Sequence, residues 1–256
     1  MMPARQVANG SMNEYRVSSR NYNYAHFEFS QENPAKVYWR SVAPALGTVM
    51  NDFELLSLDG TEWRLSTHLG APVVIECGSY TCPIFCSRIS AMEDLASEYD
   101  DTTFVVVYVR EAHPGEVTPP HSSLDEKRAC ASRLVAAESI RRTVLIDDIG
   151  GSVHLALGAS PNPVFVLDSQ GRLVLRRRWN EPTDVRRCLL ALSAGRHPTP
   201  SEAMGFGAPC ERSPSGEEIL KRGGIQALTD FSIGAPSLVR RMLEASTPQV
   251  QRHIQK

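Results

Sequence analysis

Two cysteines, Cys82 and Cys86, stand four residues apart in the stretch ECGSYTCPIFCSR, residues 76–88. A thiol reacts as its thiolate, and a free cysteine with a pKa near ~8.5 is only a few per cent ionised at neutral pH. Cys82 precedes Pro83 and a helix-like run, so it is expected at a helix start, where unpaired backbone N–H groups and the positive end of the dipole favour an anion. Proline suits that first turn because its missing N–H would be an orphan anyway. Cys82 is therefore the candidate nucleophile, with a lowered pKa expected. Ser79 and Thr81 offer hydroxyl donors to the sulfur or to a substrate. Cys86, one turn further on the same face, reads as a resolving thiol or as a core residue.

Three further side chains have the right chemistry for acid–base work. Glu111 and His113 close the strand-like run TTFVVVYVREAH, at the end where loops of an α/β sheet build sites. His121 opens a helix-like run after two prolines. Either histidine could move a proton, with Glu111 orienting it. The bland reading of Glu111 is a solvated acid, and of His121 a surface cap. Cys77, Cys130 and Cys188 fall on apolar strand or helix faces and read as core. Cys210 lies in a linker, as a resolving thiol in trans or a bystander. His154 reads as structural, and the run Arg176-Arg177-Arg178 as a solvated edge that discourages strand pairing.

The elements that must position these groups follow from periodicity. NDFELLSLDGTEWRL reads as strand, Asp59-Gly60 turn, strand. PVVIEC is a strand covered on both faces. Phe85, Ile89, Met92, Leu95 and Tyr99 are spaced as one amphipathic helix. TTFVVVYVR and TVLID read as buried strands. Between them lies a helix capped by Ser122 or Ser123, with Glu126 completing a capping box if Ser123 caps. A short helix ends at Gly158. A hairpin turns at Gln170-Gly171, and a last helix runs from Pro182 to Gly195. The order predicts an α/β sandwich.

Residues 1–44 form an N-terminal extension with scattered aromatics, expected as a short strand or arm. Residues 45–195 form the main domain. Residues 196–256 are a Pro/Gly/Ser-rich linker followed by one or two short helices, expected to cover part of the domain or a sheet edge, or to meet a second subunit. With 27 basic against 29 acidic residues the chain has no charge bias toward nucleic acid. No apolar run approaches the roughly 18 residues of a membrane span. The polar first residues lack a secretory pattern, so a cytoplasmic protein is expected. In a reducing compartment a close cysteine pair points to catalysis or metal.

The pattern resembles the thioredoxin fold, a three-layer sandwich, with a peroxiredoxin-type N-terminal hairpin. Pro163, directly before a strand, stands where that fold carries a cis-proline, which implies a cis Asn162-Pro163 bond facing Cys82. Asn162, Pro163 and Phe85 are then the candidate substrate-binding residues. Within the superfamily the chain resembles iodothyronine deiodinases. Their Gly-Ser-Cys-Thr-selenocysteine-Pro-Pro-Phe is here GSYTCPIF, with Cys82 in the selenocysteine position. VYVREAHPGE resembles their Tyr-Ile-Glu-Glu-Ala-His, and HSSLDEKR their His-Arg-Ser-Leu-Glu-Asp-Arg. The resemblance runs from about Val73 to Ala194 and implies that His113 and His121 serve the active site. The segment between them is short and lacks the family's Asp-Gly-Trp, so a generic thiol redox reaction, not thyroid-hormone deiodination, is what carries over.

The expected function is a thiol-dependent oxidoreductase that reduces a peroxide, a disulfide or a halogenated aromatic. Its substrate would be a small molecule or a protein thiol, with an external thiol as reductant, no cofactor and no resident metal. A homodimer is an open alternative. A peroxidase reading is weakened because Ile75 and Ser79 occupy the Pro and Thr positions of Pro-x-x-x-Thr-x-x-Cys. The alternatives are a Sco-type copper chaperone using Cys82 and Cys86, and a non-catalytic binding module. The copper reading lacks its third ligand, since Ser160, Pro161 and Asn162 stand where a histidine is needed.

Overall fold

Among the described residues there are eight strands, β1 (Glu54–Ser57), β2 (Glu62–Arg64), β3 (Val73–Gly78), β4 (Thr103–Tyr108), β5 (Thr143–Ile146), β6 (Val164–Leu167), β7 (Leu173–Arg177) and β8 (Ser201–Ala203). They form one sheet in the order β2-β1-β5-β4-β3-β6-β7-β8. The computed structural model describes residues 22–29, 32–196, 198–199, 201–203 and 214–234. Cys210 and most of the expected linker lie outside them. The helices are α1 (Glu32–Val42), α2 (Pro83–Cys86), α3 (Ile89–Glu98), α4 (Leu124–Glu138), α5 (Ser152–Ala156), α6 (Pro182–Ser193), α7 (Gly216–Lys221) and α8 (Ile225–Gly234).

Strands β3, β4 and β5 are parallel, β6 runs antiparallel to β3, and β7 runs antiparallel to β6. The β1–β2 hairpin, turned at Asp59-Gly60 as expected, adds antiparallel to β5. This is a thioredoxin-like sandwich with the expected N-terminal hairpin. All six residues of β3 are buried. Val73, Ile75 and Cys77 face one layer, with Trp39, Val153 and Leu157 of the α1 and α5 region. Val74 faces the other, with Met92, Leu95, Val185 and Leu189 of α3 and α6. A strand packed on both faces reads as a nearly continuous apolar run, as PVVIEC does.

Three expectations need correction. Where a short strand or arm is expected in the N-terminal extension, Glu32–Val42 form a helix, α1. Its buried Trp39 and, just past its end, Ala43 lie four positions apart and meet at Gly158, where an added Cβ would come within 2.9 Å of both. That glycine also has φ +90°, a conformation a side chain disfavours. The amphipathic helix expected from Phe85 to Tyr99 is broken into α2 and α3 at Ser87-Arg88. The break places Arg88 in the interior, where its Nε donates to the Asn180 carbonyl at 3.2 Å. The arginine run is not a solvated edge: Arg176 donates to the Ala43 and Pro44 carbonyls, Arg177 pairs with Asp184, Arg178 is buried, and β7 continues the sheet into β8.

Candidate active site

Glu111, just past the end of β4, is the hub. Burial would push its carboxyl up, but the His121 ring at ion-pair distance and hydrogen bonds from Thr81 and Tyr108 outweigh that, and its pKa falls below the ordinary range. Its Oε2 accepts from the Thr81 N–H at 3.0 Å and from Thr81 Oγ1 at 2.7 Å. Its Oε1 accepts from the Tyr108 hydroxyl and lies 3.1 Å from His121 Nε2. That last separation is an ion-pair distance with the ring out of line for a directed hydrogen bond. Burial would lower the His121 pKa, yet the neighbouring Cys130 and Glu111 raise it above its usual value. Glu111 and His121 are thus a buried carboxylate–imidazole pair in which each favours the charged form of the other.

Around this hub the chain is laced together. The Ala112 N–H donates to Ser79 Oγ at 3.1 Å, and the His113 N–H donates to Thr81 Oγ1 at 3.1 Å. The Tyr80 N–H donates to the Tyr108 hydroxyl at 3.3 Å. Parallel pairing of β3 with β4, up to Gly78 opposite Tyr108, brings these two loops side by side. Ser79, Thr81, Glu111 and His121, distant in sequence, therefore form one unit whose Thr81 immediately precedes Cys82.

Cys82 caps α2, in extended backbone, with Pro83 in the first turn as expected. Its reactivity is not as expected. The residue is 2% exposed, and burial pushes its thiol up to about 12, although the N–H groups of Ile84 and Phe85 face the sulfur and pull the other way. A helix of four residues supplies too small a dipole to reverse that. Cys86 lies under Arg222, whose Nη1 is 3.6 Å from its sulfur, and burial outweighs that charge and raises its pKa as well. All five cysteines among the described residues are free thiols.

Other candidates sit differently. His113 contributes its backbone to the hub, but its ring stacks edge-on against Phe27 and Phe231, at 4.3 and 5.3 Å between centroids. Burial pushes its pKa down to about 3, so the ring is neutral. Phe85 is wholly buried over Gly78, where an added Cβ would fall 2.2 Å from its ring, and it presents no face to a substrate. The Asn162-Pro163 bond is trans, since no cis peptide occurs among the described residues. The Pro163 carbonyl accepts from the Cys77 N–H at 3.1 Å, so that backbone edge is occupied by β3. The Asn162 side chain is buried and outside the Glu111 set.

Sequence reasoning missed Tyr108 and Arg222. Tyr108 stands inside the quoted VYVREAH motif, where only the acid and histidine drew notice. Arg222 comes from the chain's far end. It also donates to the Tyr80 carbonyl at 3.3 Å and pairs with Glu138. Thr118 Oγ1 donates to its carbonyl at 2.7 Å. With Ile219 buried in the same cluster as Cys82 and Cys86, α7 forms a cover over α2.

A family model described as iodothyronine deiodinase matches residues 51–184, a little over half of the chain. The chain belongs to the iodothyronine deiodinase family. Thyroxine 5-deiodinase of Rattus norvegicus is 32% identical over 108 residues, covering 38% of this chain and 35% of that protein. Type II iodothyronine deiodinase of Gallus gallus is 27% identical over 147 residues, covering 52% and 49%. This deiodinase-family chain thus matches between a third and a half of the length of those relatives. A hypothetical protein, SMc02350, of Sinorhizobium meliloti 1021 shares the fold, with a TM-score of 0.51 at 17% identity, over 65% of this chain and 94% of that one.

Proposed function

We propose that this deiodinase-family chain is a thiol-dependent reductase that removes halogen from an aromatic ring, with Cys82 as nucleophile and His121 as proton donor. The observation that carries the reading is the Glu111 hub, which holds the buried His121 ring and, through Thr81, reaches the residue before Cys82. The Cys82 thiolate attacks the halogen, its electron pair forming the S–halogen bond. The carbon–halogen pair stays on the ring carbon, which takes the His121 proton. An external thiolate then attacks the Cys82 sulfur and expels halide. A second thiol reduces the mixed disulfide, for a balance of two thiols oxidised per aryl halide reduced. A carbanion needs a proton as it forms, far more than the thiolate or alkoxide released from a disulfide or peroxide. A buried proton donor held by a carboxylate therefore favours the aryl halide among the three substrates.

The buried thiol of the closed form is protonated, so the reading includes displacement of the α7 cover. Hydration of the sulfur then removes the burial penalty and leaves the Ile84 and Phe85 N–H groups to stabilise the anion. The copper alternative fares worse, because Arg222 puts a fixed positive charge beside the Cys86 sulfur. The test is a side-by-side assay with a dithiol reductant against an iodinated phenol, a hydroperoxide and a small disulfide. Halide release above the rate of the Cys82→Ser variant supports the reading. Turnover of the peroxide or disulfide alone would replace it.

A further inference from the structure

Cys130 plays no part in the chemistry above. It lies buried on α4, and its Sγ accepts a hydrogen bond from Arg133 Nη2 at 2.9 Å. Its sulfur, a Glu111 carboxylate oxygen and a His121 ring nitrogen all lie within 4.8 Å of one another. A thiol, an imidazole and a carboxylate together are the donor set of a borderline-soft divalent ion such as zinc, whereas magnesium and calcium want oxygen alone.

A second observation points the same way. The His121 side chain is 1% exposed, yet neither ring nitrogen has a directed hydrogen bond. Buried imidazole nitrogens are rarely left so. The other two groups are already held from behind: Glu111 by Thr81 and Tyr108, Cys130 by Arg133. Outer hydrogen bonds of this kind fix metal ligands in place. Four-coordinate zinc, with bonds of about 2.0–2.3 Å, sets its ligands roughly 3.3–3.8 Å apart, which the present spacing reaches by small side-chain rotations. One carboxylate and one thiolate balance the two positive charges. Arg133 and the buried Lys127 oppose a cation here, but Arg133 already acts as a donor to the sulfur.

We propose that Glu111, His121 and Cys130 form a binding site for a zinc-class divalent cation. Occupancy would take His121 from proton delivery and make zinc an inhibitor; that consequence, though not the site itself, rests on the function proposed above. The test is titration of the reduced full-length protein with Co²⁺. One equivalent should bind with a thiolate-to-cobalt charge-transfer band that zinc displaces. Cys130→Ala should lose the band, while Cys82→Ala and Cys86→Ala keep it. Should Cys130→Ala fail to fold, X-ray absorption on the zinc-loaded wild type decides: one sulfur at about 2.3 Å with nitrogen or oxygen at about 2.0 Å is expected. A two-sulfur shell, a band that survives Cys130→Ala, or no stoichiometric binding overturns the site. Cobalt bound through Cys130 with turnover insensitive to zinc upholds the site and counts against the proton role of His121.

Discussion

Thr81 gives Glu111 both its N–H and its hydroxyl, at 3.0 and 2.7 Å, so the residue before Cys82 is fixed to the carboxylate that also holds His121. Glu111→Gln keeps the shape but removes the charge that favours protonation of His121. Both Glu111→Gln and His121→Gln should lower turnover by about 10²–10⁴-fold, the usual contribution of a positioned acid. Alkylation of Cys82 should change far less. Equal losses in alkylation and turnover would mean that the hub shapes the thiol and does not deliver the proton.

The α7 cover is held over the thiols by Arg222, through Tyr80, Cys86 and Glu138. Arg222→Ala should therefore speed labelling of Cys82 and Cys86 by iodoacetamide several-fold, with Cys188 as internal control. An unchanged rate would mean that another segment limits access.

Glu76, buried in the centre of β3, accepts from Arg142 Nη1 at 2.7 Å and from Asn180 Nδ2 at 2.6 Å, while Arg142 Nε donates to Glu93 at 2.7 Å. Removing one member of a buried pair typically costs about 3–5 kcal/mol, because the other charge is stranded. Glu76→Leu should show that loss in urea unfolding, and Glu76→Leu with Arg142→Met should recover part of it. A neutral Glu76→Leu would mean that water reaches this pair.

His154 should set part of the acid sensitivity. Its Nε2–H donates to the Ser160 carbonyl at 2.7 Å, so Nδ1 must accept from the Tyr22 hydroxyl at 2.9 Å, and the ring is neutral. Burial first, and then the Arg110 charge, push its pKa down to about 3, against the Ser160 bond that raises it. The unfolded imidazole titrates near ~6.5. Between those values the unfolded chain binds the extra proton. Stability is thus intact above about pH 6.5 and falls as pH drops, by up to about 1.4 kcal/mol per unit for each such histidine. His154→Gln should flatten this slope while losing about 1–3 kcal/mol at neutral pH. Urea midpoints at pH 7.5 and 5.0 check it; an unchanged slope would assign the effect elsewhere.

Much of the fold was legible because its signals are local. The hairpin at Asp59-Gly60, the two-faced run of β3 and the Ser123 cap, whose hydroxyl accepts from the Glu126 N–H, are written in neighbouring residues. The Glu126 carboxylate, however, turns to Ser122 instead of completing the box. What stayed hidden is tertiary. Glu76 looks like an intrusion in an apolar strand until Arg142 and Asn180 arrive. The Arg222 cover and the burial that raises the Cys82 pKa depend on segments far apart in sequence, and the approach of Cys130 to His121 needs the turn before α4 to fold back. The break between α2 and α3 is set by where Arg88 finds a partner, not by helix period.

The central claim is that Cys82, not Cys86, forms the covalent intermediate. The direct measurement is intact-protein and peptide mass spectrometry after one turnover with an iodinated phenol and limiting thiol. Wild type and Cys86→Ser should both carry an adduct or a mixed disulfide on Cys82, with Cys86→Ser slower only in clearing it. Cys82→Ser should carry none and release no iodide. An adduct found on Cys86, or iodide release that persists in Cys82→Ser, would contradict the account.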